Sequence, residues 1–449
     1  MSAARAGNHP RDAVHERFVI ASLAYAVLGG FSLAVSLPIE VIVGSVDASW
    51  VAHAQVHGHM QVIGFAGLFI VGMAFRLAPR FGGRSSMAVP WAETPVFVLL
   101  VIGPLARALG QPLAELPAFA AVAGLGAAAE LVGAVLFAAM LTRTLGAAVR
   151  RLEPPAILLT AAGFGLVAQA VLGAWWVGET ALDGHTLVAT PENRVLLHLQ
   201  LFGFLLPAIL GVGMRSFPTF FGRKPPGVRA GNAVAATWLV GVLLWTGAET
   251  AGATSGGRPW LLAGTGQALV GGAILLAIVS FGPWRKASRL AAASKGLAWA
   301  IHPAVLWLAV SGVLLVGTAA QALVGGSTVS PITLDAVRHV FLVGVVTLAI
   351  VGMAQLILPE FASERLVRHP GAWRGPFFGA AISLVALLRG VLPLAGLGGM
   401  DRWWAMAVAG SLGWTAVGVF AVLLWRASRA HRAYLQRIER FRSNELPVR

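Results

Sequence analysis

The sequence predicts an all-α polytopic membrane protein of about twelve transmembrane helices arranged as three four-helix repeats. Three observations predict it. The 449 residues are 57% hydrophobic and 11% charged; apolar stretches of about 20 residues, enough to cross roughly 30 Å of hydrocarbon, recur from end to end; and one motif returns three times. The spans fall roughly at residues 17–43, 58–78, 88–108, 117–142, 155–178, 194–217, 230–252, 259–282, 298–323, 335–358, 373–396 and 403–427. No long hydrophilic insertion separates them, so residues 1–449 form a single integral membrane domain. Its repeats cover about 17–150, 151–295 and 296–427, and residues 428–449 form a basic tail.

The repeat is read from its landmarks. His59 is followed by Gly64, Gly72, Pro79 and Phe81; His198 by Gly203, Gly211, Pro218 and Phe220; His339 by Gly344, Gly352, Pro359 and Phe361. Each landmark moves by 139 positions to the second copy and by 280 to the third, without a gap. One structural unit copied three times gives such a pattern. Spans 2, 6 and 10 therefore each present one histidine at a common depth, within about a turn of the span's start.

Charge placement orients the chain. The net charge of +15 would suit nucleic acid, but only Arg107, Arg194, Arg258, Arg338, Arg389 and Arg402 lie on one side of the twelve-span scheme. The other 27 of 33 basic residues lie at the termini and in the even-numbered loops. This is the positive-inside pattern of a bacterial-type inner membrane protein with both termini cytoplasmic. The basic balance thus reflects topology and anionic lipid, with no nucleic-acid partner. Residues 1–16 are polar, so a cleavable signal peptide is not expected and the first span serves as its own insertion signal. The basic, partly amphipathic segment from Trp425 reads as a helix extension lying at the membrane surface, with a docking segment for a soluble partner as the alternative.

The chain has no cysteine. Disulfides, thiolate-held clusters, Cys-bound copper and covalent c-type haem are thereby excluded. Imidazole suits haem iron, copper or zinc, and intramembrane histidines are functional candidates by default. A haem between two helices also needs small neighbours, and each copy has glycine five residues after its histidine. His53 and His57 share a helix face and could bind copper together, although histidines wetted by the outer aqueous phase are the simpler reading. Arg107 and Arg389 near the outer ends of spans 3 and 11, and Arg338 beside His339, are candidates to clamp haem propionates. Glu130 in span 4 reads as a hydrogen-bonding group between helices.

The segments 56–84 and 338–361, with their histidine, glycine and closing proline, resemble the NnrS family of twelve-span haem- and copper-containing membrane proteins associated with nitric oxide and denitrification. More distantly, the ground plan resembles the haem-copper oxidase main subunit. The likeness runs through all the spans, but its specific motifs occupy only about 70 residues. It implies a haem b, with copper as a further candidate, held by His59 and His339, and leaves His198 as a ligand for copper or a second haem. It also implies nitric oxide or oxygen as ligand, a quinol or cytochrome as redox partner, and a function in nitric oxide response, nitric-oxide-linked redox chemistry or electron transfer. Two departures weigh against an oxidase-type binuclear centre: span 7 has no histidine, and Val337 stands two residues before His339. A transporter or carrier of haem or metal built on three repeats is the alternative from another class.

Overall fold

A computed structural model describes residues 13–255, 259–285, 298–326, 329–358 and 374–445. Among them are twelve helices long and apolar enough to cross a membrane: α1 (Val14–Val43), α2 (Trp50–Gly82), α3 (Pro90–Leu113), α4 (Pro117–Arg150), α5 (Pro154–Leu182), α6 (Thr190–Phe220), α7 (Val228–Ser255), α8 (Trp260–Phe281), α9 (Trp299–Gly325), α10 (Pro331–Gln355), α11 (Pro376–Leu394) and α12 (Gly399–Ile438). No strand occurs among the described residues. The protein is an all-α, multi-pass membrane protein.

Local chemistry fixes many of the helix ends. Proline occupies the first turn of α4, α5, α6 and α10, where its missing N–H is no loss. Ser330 caps α10 by accepting from the Thr333 amide at 3.1 Å. Gly83, at φ +67°, ends α2 in the left-handed conformation that glycine adopts without strain.

The three motif helices form the centre. In α2, α6 and α10, 83, 83 and 89% of the most apolar window is buried, against 33 to 56% in the other nine. The outer helices surround these three, and α12 packs along α1 to bring the first and last spans together, with Trp414 Nε1 donating to the Val27 carbonyl at 2.9 Å. Each motif histidine is followed at once by a π-helical stretch, Met60–Gly67, Leu199–Leu205 or Val340–Thr347. Two shorter π stretches lie in α1 (Ala26–Gly30) and α11 (Leu387–Val391). Such segments are rare and gather at functional sites.

Several expectations change. The motif helices begin earlier than hydropathy places them, at Trp50, Thr190 and Pro331. Their histidines therefore sit more than two turns in, roughly 13 Å along the axis, rather than within about one. The motif glycines serve helix packing. A Cβ on Gly64 would lie 2.5 Å from the Tyr25 ring, and one on Gly344 2.7 Å from Trp307. In the second copy Gly203 faces Gly165, where a Cβ would come within 2.0 Å of the Gly203 carbonyl oxygen. The basic tail is a helix extension, as expected: the α12 helix continues unbroken to Glu445 as 47 residues, about 70 Å long and more than twice the hydrocarbon thickness. Pro359 and Phe361 of the third copy lie outside the described residues.

Candidate functional site

At the histidine end of the bundle, α1, α2, α10, α11 and α12 enclose a cavity of about 390 Å³. Its wall is mostly apolar, from Phe31, Leu37, Val62 and Leu342 among others. The polar groups are His57 and Gln61 on α2, Asp335, Arg338 and His339 on α10, Arg389 on α11 and Arg402 on α12.

The two histidines present themselves alike. His57 Nδ1 lies 2.8 Å from the Gly30 carbonyl oxygen in the π stretch of α1. His339 Nδ1 lies 2.8 Å from the Asp335 carbonyl and 3.3 Å from Asp335 Oδ1. A carbonyl only accepts, so Nδ1 carries the hydrogen in each ring and Nε2 keeps its lone pair. Neither Nε2 has a hydrogen-bond partner among the described residues. Histidines that ligate metals are typically held in this way.

The cations follow a pattern of their own. Arg389 Nη1 donates to Asp335 Oδ2 at 2.7 Å. Arg338 Nη2 donates to His198 Nε2 at 3.2 Å, while its buried Nε has no partner. The Nε of Arg402 is likewise unpartnered, with its guanidinium 4.9 Å from the Trp403 ring centroid. Gln61 Oε1 is a further buried acceptor without a donor.

His59, two residues from His57, belongs elsewhere. It is 3% exposed and both of its ring nitrogens are engaged. Arg107 Nη1 and Gln200 Nε2 approach Nδ1 at 3.2 and 3.3 Å, so Nδ1 accepts and Nε2–H donates to Glu130 Oε2 at 2.9 Å. Gln169 completes the cluster, donating to Glu130 Oε1 at 2.7 Å and accepting from Gln200 at 3.1 Å. Arg107 continues outward through Gln111 to Gln55, which meets the backbone of Val188. Hence His59 is not among the residues that line the cavity with His339, and Arg107 contacts His59 and Gln111. Glu130 does bond between helices, as its residue type and setting suggested.

His198 occupies a third environment. Its ring lies 4.2 Å from Trp245, and Phe202 and Phe341 extend the aromatic packing at 5.0 and 5.4 Å centroid separations. Its Nε2 accepts from the Arg338 guanidinium, which occupies that nitrogen's lone pair. Among the described residues no three His, Asp or Glu side chains are grouped to hold a metal ion. His53 does not join His57 in a pair; its Nδ1 lies 3.1 Å from Ser49 Oγ.

No protein-family model matches this chain, and no curated protein matches it.

The three environments share one frame. Counting by the motif offset, Gln169 beside His59 corresponds to Gly30 beside the cavity, and Glu130 corresponds to Gly410, which also lines it. The contacts agree at the first pair: Gln169 meets Gln200, and a Cβ on Gly30 would meet Gln61, the frame equivalent of Gln200. Side chains that fill the space around His59 are thus reduced to hydrogen around His339, and space remains. Sequence reasoning named His57 as a copper candidate beside His53 rather than as a partner of His339, and missed Asp335 and Arg402. The signal it could have used is glycine at 30, where the second repeat holds the amide Gln169, and at 410, where the first repeat holds the carboxylate Glu130.

Proposed function

We propose that this chain is a haem-b membrane protein of the NnrS type, acting in nitric-oxide-linked redox chemistry or electron transfer, with His57 and His339 as the axial ligands. One observation carries the reading: two imidazoles on different helices of one cavity, each tied through Nδ1 to a backbone carbonyl and each with Nε2 unpartnered. The rest of the wall suits the same group. It is apolar enough for a porphyrin face, and the unpartnered Nε atoms of Arg338 and Arg402 supply cations for two propionates.

When bound, a haem supplies a one-electron couple, and two axial imidazoles favour electron transfer over gas binding at the iron. The chain's own part is to fix both rings, to place guanidinium groups at the carboxylate edge and to keep water from the faces. Nitric oxide or oxygen would compete with one of these histidines for the group. The aromatic packing around His198 favours a packing role for that residue over a second metal centre. The 27-to-6 partition of basic residues supports a bacterial-type inner membrane with both termini cytoplasmic and lipid around the bundle; a quinol or cytochrome would be the electron partner of such a haem.

The test is the visible spectrum of the purified protein with three alanine variants. Wild type shows low-spin haem b in stoichiometric amount; His57→Ala and His339→Ala lose that absorption; His59→Ala keeps it. A spectrum that depends on His59 and not on His57 refutes the pairing. The absence of resident haem in wild type, with uptake only on addition, favours a carrier instead.

A further inference from the structure

We infer that Asp335 is a positioning residue that sets the electron-donating strength of His339, and through it the reduction potential of the bound group; this rests on the axial reading of His57 and His339. His339 Nδ1–H faces two oxygens of one residue a helical turn earlier, the carbonyl at 2.8 Å and carboxylate Oδ1 at 3.3 Å. The second carboxylate oxygen is held by Arg389 at 2.7 Å. The three groups therefore form a chain from α11 to α10: guanidinium, carboxylate, imidazole.

Asp335 lines the cavity, and Arg389 fixes its rotamer so that Oδ1 stays beside the ring. A carboxylate behind a ligating imidazole raises the basicity of the nitrogen facing the metal. His57, by contrast, has only the neutral Gly30 carbonyl behind it. The two ligands are therefore unequal, with His339 the stronger donor. The motif frame makes the same point: four residues before the histidine stand Gln55, Arg194 and Asp335, so only the third copy has a carboxylate there. Stronger donation stabilises the oxidised state of the iron and lowers its potential.

The experiment is a potentiometric titration, with electron paramagnetic resonance of the oxidised state, on full-length wild type and Asp335→Asn in detergent. The variant retains haem and its low-spin spectrum, its midpoint potential rises, and its g-tensor changes because the axial field at His339 has weakened. A merely structural residue would alter haem content and leave these two readouts unmoved in the haem that remains. Should Asp335→Asn fail to assemble, Asp335→Glu, still anionic but one methylene longer, is measured in the same way: a displaced carboxylate shifts both readouts. Haem retained with unchanged potential and unchanged g-tensor overturns the inference alone. Wild type without haem overturns the axial reading and the inference together.

Discussion

Replacing Glu130 with Gln tests whether the cluster around His59 is a closed electrostatic unit. Glu130, 4% exposed, accepts on both oxygens, from His59 at 2.9 Å and from Gln169 at 2.7 Å. A glutamine offers one acceptor and one donor, so one of these contacts becomes donor against donor. Relieving the conflict disturbs its neighbours. Turning the Gln169 amide breaks its bond from Gln200 at 3.1 Å; moving the His59 proton to Nδ1 sets it against Arg107 and Gln200 at 3.2 and 3.3 Å. The substitution also removes the carboxylate that balances the Arg107 charge across the imidazole. Breaking a buried pair from one side costs about 3–5 kcal/mol, of which the unmet donor accounts for about 1–3 kcal/mol. Equilibrium unfolding in mixed dodecylmaltoside–SDS micelles measures the loss. A double-mutant cycle with Arg107→Leu should recover at least about 1 kcal/mol of it, since both substitutions act on one network. A loss below about 1 kcal/mol, or additivity within about 0.5 kcal/mol, refutes this account.

Trp245→Ala should destabilise the fold by about 3–5 kcal/mol in the same unfolding assay, because a side chain 1% exposed that packs on His198 and Phe202 leaves a cavity; haem content should stay at the wild-type level. Reporter fusions after Arg84, Arg151, Arg223 and Arg374 should all report the cytoplasmic side, and one clear opposite signal breaks the proposed orientation.

The fold was legible because its causes are one-dimensional: hydrophobic length sets the spans, and a fixed offset identifies the three motif helices at the centre. The site was legible only to the level of the helix. Residues two apart on a helix do not face the same way, so His57 and His59 address different spaces. A repeated residue reveals what each copy retains, not which of two adjoining spaces it enters. The repeat drew attention to His59, while His57, with Leu196 and Val337 in its frame, has no counterpart in the other copies. Likewise Arg389 could be seen as a cation near the right end of its span. That it holds Asp335 depends on the approach of α11 to α10, which no local pattern encodes. The π stretches were invisible for a similar reason, since an extra residue in a turn leaves the composition unchanged.

Arg338 belongs to two places at once. Its Nη2 holds His198 against Trp245, and its unpartnered Nε lies on the same planar fork at the edge of the neighbouring cavity. Because the guanidinium moves as one rigid body, an anion that draws it toward the cavity must strain or release His198, and whatever locks His198 changes the affinity for the anion by the same factor. Filling the cavity and ordering the aromatic cluster are thus linked equilibria. Trp245, 4.2 Å from the imidazole, is a built-in optical probe of a chamber that it does not line.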